Sequence, residues 1–122
     1  MFFEINLSLV SQFQAGIIHG DFNEQNILMR KNNNEDSVYS VIDFGDSHHG
    51  PLLYELAITI MYMMTKAEDP NMVGGHVLAG YLQHRHLPHE ERRLIRVCVA
   101  ARYAQVGRDE NWKIKLGKSI LI

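Results

Sequence analysis

Asp21, Asn26 and Asp43 are the residues of this chain whose types and spacing suit chemistry. Asp21 and Asn26 lie in "GIIHGDFNEQNIL", residues 16–28, five positions apart, and Asp43 opens "DFGD" further along. A carboxylate and an amide oxygen are hard donors of the kind Mg²⁺ prefers. Such sites use one or two carboxylates and leave other positions to water and phosphate oxygens. A second carboxylate, apart from that pair, can accept a proton. This is the division of labour that phosphoryl transfer requires, with metal ions on the phosphates and a carboxylate at the attacking hydroxyl. The bland alternative is that these Asp and Asn residues only shape turns and caps. Two such motifs in order, a hairpin apart, weigh against it.

Elements must bring these groups together. Ile17, Ile18, Ile27 and Leu28 read as short buried strand pieces flanking a polar loop. "NILMR" (26–30) and "SVYSVIDF" (37–44) are strand-like, and "KNNNED" between them is a run of turn formers, so a hairpin is predicted. Pairing about the centre of that turn sets Ile27 opposite Ile42 and Asn26 opposite Asp43. Residues 3–14 read as a helix stopped near Gly16. After "DFGDSHHG", Pro51 suits the first turn of an apolar helix running through Met64. "DPN" at 69–71 breaks it, a Gly-rich helix covers Val73 to Gln83, and a further helix runs from Pro88 to about Ala104. From Val106 no period is sustained.

Composition bounds the rest. The 122 residues are 46% hydrophobic and 21% charged, ordinary for one globular domain. The net charge of −2 and scattered basic residues give no footprint for nucleic acid. Leu52 to Met64, the longest apolar run, contains Glu55 and is too short to span a bilayer, so no membrane partner is expected. Without a targeting segment, the expected location is cytoplasmic. Cys98, the single cysteine, sits in "LIRVCVAA" and reads as a small buried hydrophobe. His48 with His49, and His84, His86 and His89 in "HRHLPH", raise a zinc site, but their spacing is not that of a helical ligand pair. Loop histidines are the simpler reading.

"HGDFNEQN" followed by "IDFGD" resembles the aminoglycoside phosphotransferase and choline-kinase branch of kinase-like folds, with Gly20 where protein kinases carry Arg. Within that branch, "DFGDSHHGPLLYELAITIMYMM" and "VGGHVLAGY" make residues 13–105 similar to the hydroxylysine kinases. The resemblance implies an α+β fold: a protein-kinase-like C-terminal lobe, mainly helical, with a catalytic loop and a short hairpin. It implies Asp21 as the catalytic carboxylate, Asn26 and Asp43 as metal ligands, and His19 as a brace for the loop. Glu55 falls where relatives carry Asp to anchor that loop, and Asp46 receives no firm role. The implied cofactors are Mg²⁺ with GTP or ATP, and the implied acceptor is the hydroxyl of 5-hydroxy-L-lysine.

The chain has no glycine-rich phosphate loop and no strand Lys to pair with phosphates. The expectation is a fragment or short form lacking the N-terminal lobe. Residues 1–105 form a partial kinase-like lobe and 106–122 a tail, with little or no turnover alone. Two other readings stand beside it. One is a non-catalytic kinase-like binding module; the other is a kinase acting on an aminoglycoside, choline or a sugar. The oligomeric state is left open.

Overall fold

Helix α2, Leu52–Thr65, is the element around which the rest packs. Leu53, Leu56, Ala57, Ile60, Met61 and Met64 are buried, a helical spacing that lays one apolar stripe against its neighbours. Leu53 is completely buried. The computed structural model describes residues 7–106. In order these form α1 (Leu7–Val10), β1 (Ala15–Ile18), a 3₁₀ turn (Glu24–Asn26), β2 (Ile27–Lys31), β3 (Asp36–Val41), β4 (His48–Pro51), α2, α3 (Pro70–Leu82) and α4 (His89–Val106). The architecture is α+β.

Helices α3 and α4 pack on α2. The inward stripe of α4 includes Glu91, Cys98, Val99 and Tyr103. Helix α3 has no fully buried residue and approaches α2 through Gly74, where an added Cβ would lie 3.2 Å from Met64 Sδ. Its glycines therefore serve packing in part, while Gly75 and Gly80 face open space. Asp69 caps its N-terminus by accepting from the Met72 amide at 3.2 Å, with Pro70 at the first position.

Two small antiparallel sheets complete the frame. Strands β2 and β3 form the predicted hairpin, but in a different register: Ile27 faces Val41, and the Ile42 amide donates to the Asn26 carbonyl at 2.9 Å. The loop is Asn32–Glu35, and a bulge at Leu28/Met29 shifts the pairing again. A turn made of interchangeable polar residues does not define its own centre, so the register follows from pairing beyond it.

The other sheet was not anticipated. Strand β4 pairs with β1, setting Ile18 opposite His48 and Gly16 opposite Gly50. A His-His-Gly-Pro stretch has little strand propensity, and the pairing partner supplies the hydrogen bonds that local preference does not. Gly16 thus lies within a strand rather than at a helix stop, and α1 ends at Val10. Of the four residues read as buried strand pieces, Ile18 is buried, whereas Ile17 is 75% exposed and Leu28 40% exposed. Strand alternation puts Ile17 on the face opposite Ile18. Of the expected tail, 106–122, Val106 is the last residue of α4 and 107–122 lie outside the described residues, as do 1–6.

Candidate active site

The loop from His19 to Asn26 is fastened at each end by side chains. At its start, the Glu55 carboxylate accepts from the backbone amides of His19 and, at 3.3 Å, Gly20. Glu55 stands in the first turn of α2, so the core packing of that helix fixes where the loop begins. Ser47 donates to the His19 carbonyl at 3.3 Å. At the far end, Asn26 Nδ2 donates to the Asp21 carbonyl at 2.9 Å, and Asn23 Nδ2 donates to the same carbonyl at 3.2 Å. Asn23 Oδ1 accepts from the Gln25 amide at 2.9 Å and caps the 3₁₀ turn. Sequence reasoning missed Asn23, although an Asn just before a short helical turn is a capping signal.

Gly20 explains the residue between His19 and Asp21. Its φ is +86°, and an added Cβ would fall 2.5 Å from the Asp46 carbonyl oxygen. Sterics and conformation both demand glycine there. The described contacts of Asp46 run through its backbone: the same carbonyl accepts from His48 Nδ1 at 2.8 Å.

His19 joins the two motif segments. Its Nδ1 accepts from the Asp21 amide at 3.2 Å, so Nε2 carries the proton and donates to the Ile42 carbonyl at 2.8 Å. Its ring packs against Phe22 and Phe44, with centroids 5.9 and 4.9 Å away. Asp43 follows Ile42 directly and has φ 62°, a left-handed conformation uncommon for a residue with a side chain. Backbone strain of this kind concentrates at functional sites.

Asn26 is tied to Asp21 through the Asp21 carbonyl, and the residue it faces across the hairpin is Ile42 rather than the expected Asp43, which follows next in the chain. With its Nδ2 donating to the Asp21 carbonyl, Asn26 has Oδ1, whose lone pairs accept, as the side-chain atom that could face a cation. One amide oxygen and one exposed carboxylate fit a Mg²⁺ ion that draws its other ligands from water and phosphate. Among the described residues, no three His, Cys, Asp or Glu side chains are grouped to hold a metal ion.

Two further residues bear on this loop. The Tyr62 phenol on α2 is close enough to Asp21 and to Arg102 of α4 for both to influence its titration. Burial raises the Tyr62 pKa, the Asp21 carboxylate adds to that, and Arg102 opposes it. In the sequence Tyr62 sits inside "IMYMM", which reads as core, and nothing local marks it for the site. Glu24 in the 3₁₀ turn pairs with Lys66, whose ammonium lowers the Glu24 pKa. Both side chains are substantially exposed, so this pair contributes little to stability.

Comparison with known proteins gives the class. Residues 4–95 match the phosphotransferase enzyme family, and the chain belongs to that family. It is 39% identical over 110 residues to hydroxylysine kinase of Mus musculus and 40% identical over 104 residues to that of Bos taurus. The hydroxylysine kinase of Danio rerio is 37% identical over 109 residues. These matches cover 86%, 81% and 81% of this chain, but only 29%, 28% and 31% of the respective relatives. The chain therefore spans less than a third of the length of these relatives. No solved structure matches.

Proposed function

We propose that this chain carries the catalytic centre of a small-molecule kinase that phosphorylates the side-chain hydroxyl of 5-hydroxy-L-lysine. One observation supports this above the others: the His19 imidazole links the Asp21 amide to the Ile42 carbonyl, making the two motif segments a single rigid rim. The relatives named hydroxylysine kinase supply the acceptor.

In this reading Asp21 orients the acceptor hydroxyl and takes its proton as the oxygen attacks the terminal phosphorus and the bond to the nucleoside diphosphate breaks. Asn26 and Asp43 hold Mg²⁺, which when bound neutralises charge on the phosphates. Glu55 and His19 keep the loop in place. The donor is GTP or ATP. The described region is read as the partial C-terminal lobe of a kinase-like fold, and the chain alone turns over slowly because no glycine-rich phosphate loop is present among the described residues to position the donor.

The test is transfer of phosphate from Mg·GTP and Mg·ATP to 5-hydroxylysine and a panel of amino alcohols, comparing the chain with Asp21→Ala. Weak transfer favouring hydroxylysine and lost in the variant is expected. Transfer unchanged by the substitution would overturn the role of Asp21, and preference for another acceptor would overturn the substrate.

A second reading, a binding module, draws on the hairpin, where Met29, Val38 and Tyr39 are more than half exposed. Concentration-dependent self-association or capture of a defined partner through this face, with no transfer at all, would favour it.

A further inference from the structure

Beneath the catalytic loop, bounded by β1, β4, α2 and α4, lies a cavity of about 400 Å³. Gly20 forms part of its wall, so the cavity opens one residue from Asp21. Ile18, Ala57 and Ile58 give it an apolar side, and Arg102 brings a positive charge.

Arg102 has no carboxylate partner among the described residues. The ion pairs described there are Lys66–Glu24 and Arg93–Glu90. Arg102 Nη1 donates to Gln105 Oε1 at 2.8 Å, a neutral acceptor. Its Nε is shielded from water and has no hydrogen-bond partner. A shielded guanidinium donor without an acceptor is costly, and a carboxylate satisfies it best because the planar fork binds two oxygens at once. Gly20 and Arg102 line the same cavity, so a ligand anchored at Arg102 lies beside the catalytic loop.

We propose that this cavity is the subsite for the α-carboxylate of an amino-acid acceptor, read by Arg102, with the aliphatic chain against Ile18, Ala57 and Ile58. The identity of the ligand rests on the kinase reading above; the subsite itself rests on the cavity and the shielded Arg102 Nε that has no acceptor. Arg102 selects the acceptor and takes no part in proton or phosphoryl transfer. An acceptor without a carboxylate, such as choline or an aminoglycoside, leaves Arg102 unsatisfied and is disfavoured.

The experiment is nuclear magnetic resonance titration of the chain with L-lysine, 5-hydroxy-L-lysine and pentane-1,5-diamine, the last lacking only the carboxylate of lysine. Both amino acids should bind and shift the Arg102 Nε–H resonance, and the diamine should bind about tenfold more weakly or worse. Arg102→Gln should weaken amino-acid binding by a similar factor. Ala101→Phe, substituted at an exposed position on the cavity wall, should block binding while leaving thermal unfolding unchanged. Equal binding of diamine and amino acid, binding indifferent to Arg102→Gln, or no amino-acid binding by the folded chain would each overturn the proposal. L-lysine has no hydroxyl to phosphorylate. If it binds through Arg102 while hydroxylysine receives no phosphate, the subsite stands and the kinase reading fails. If hydroxylysine is phosphorylated equally well by Arg102→Gln, the kinase reading stands and the subsite fails.

Discussion

At the scale of single residues, the rim is set by groups whose chemistry leaves little choice. His19 accepts on one ring nitrogen and donates from the other, which couples its tautomer to both motif segments. Gly20 is more constrained still. Gly20→Ala places a methyl group 2.5 Å from the Asp46 carbonyl oxygen and forces an alanine to φ +86°. The expected loss is about 2–3 kcal/mol of folding stability or local ordering. Urea unfolding, with hydrogen exchange at the His19 and Gly20 amides, measures it. An alanine variant as stable as the parent, with unchanged exchange, would show that the loop accommodates a side chain.

At the scale of elements, α2 ties packing to function. Its buried stripe, with Leu53 and Met61 at its centre, fixes the helix against α3 and α4, and its first turn presents Glu55 to the loop. Leu53→Ala removes a fully buried side chain and should cost about 2–5 kcal/mol. Because Leu53 lies two residues from Glu55, the same substitution should raise hydrogen exchange at the His19 and Gly20 amides. Denaturation and exchange together check this. A large loss of stability with the loop amides still protected would separate the loop from the helix. The hairpin is the counterpart: strand pairing and the Arg30 guanidinium 4.5 Å from the Tyr39 ring hold it, while its apolar residues remain largely open.

At the scale of the whole molecule, the helical core carries the response to alkali. Cys98 is 6% exposed, and burial pushes its thiol from 9.0 up to about 11. The unfolded chain therefore loses this proton before the folded chain does. Stability from this group is intact below pH 9 and declines as pH rises from 9 to about 11, by at most about 1.4 kcal/mol per pH unit. Burial also raises Tyr54, Tyr62, Tyr81 and Tyr103 above 10.0, in the same direction. Denaturation at a series of pH values should show the decline beginning near pH 9. Cys98→Ala should remove that early part and leave the part due to the tyrosines. A stability curve flat from about pH 8 to about pH 11 would mean that the thiol and the phenols reach water in the folded state.

What the sequence by itself determined was whatever a few consecutive residues encode. The order and spacing of His19, Asp21, Asn26 and Asp43 depend on the chain alone. So do the helical period of α2 and the acidic first turn of α4, whereas α3 begins at Pro70, three residues before the expected Val73, because Asp69 caps it instead of ending the chain's helical run. The tertiary structure decided everything that needed a distant partner. A polar turn left the hairpin register open by one residue, and only the Ile42–Asn26 hydrogen bond settled it. Strand β4 exists because β1 lies beside it, which no local propensity announced. Tyr62 and Arg102 are ordinary helix residues in sequence, yet the packing of α2 against α4 sets them near one another, with Tyr62 also near Asp21. Backbone sterics and side-chain period act over a few residues, whereas register, burial and the meeting of charges depend on contacts that form only when the chain has closed on itself.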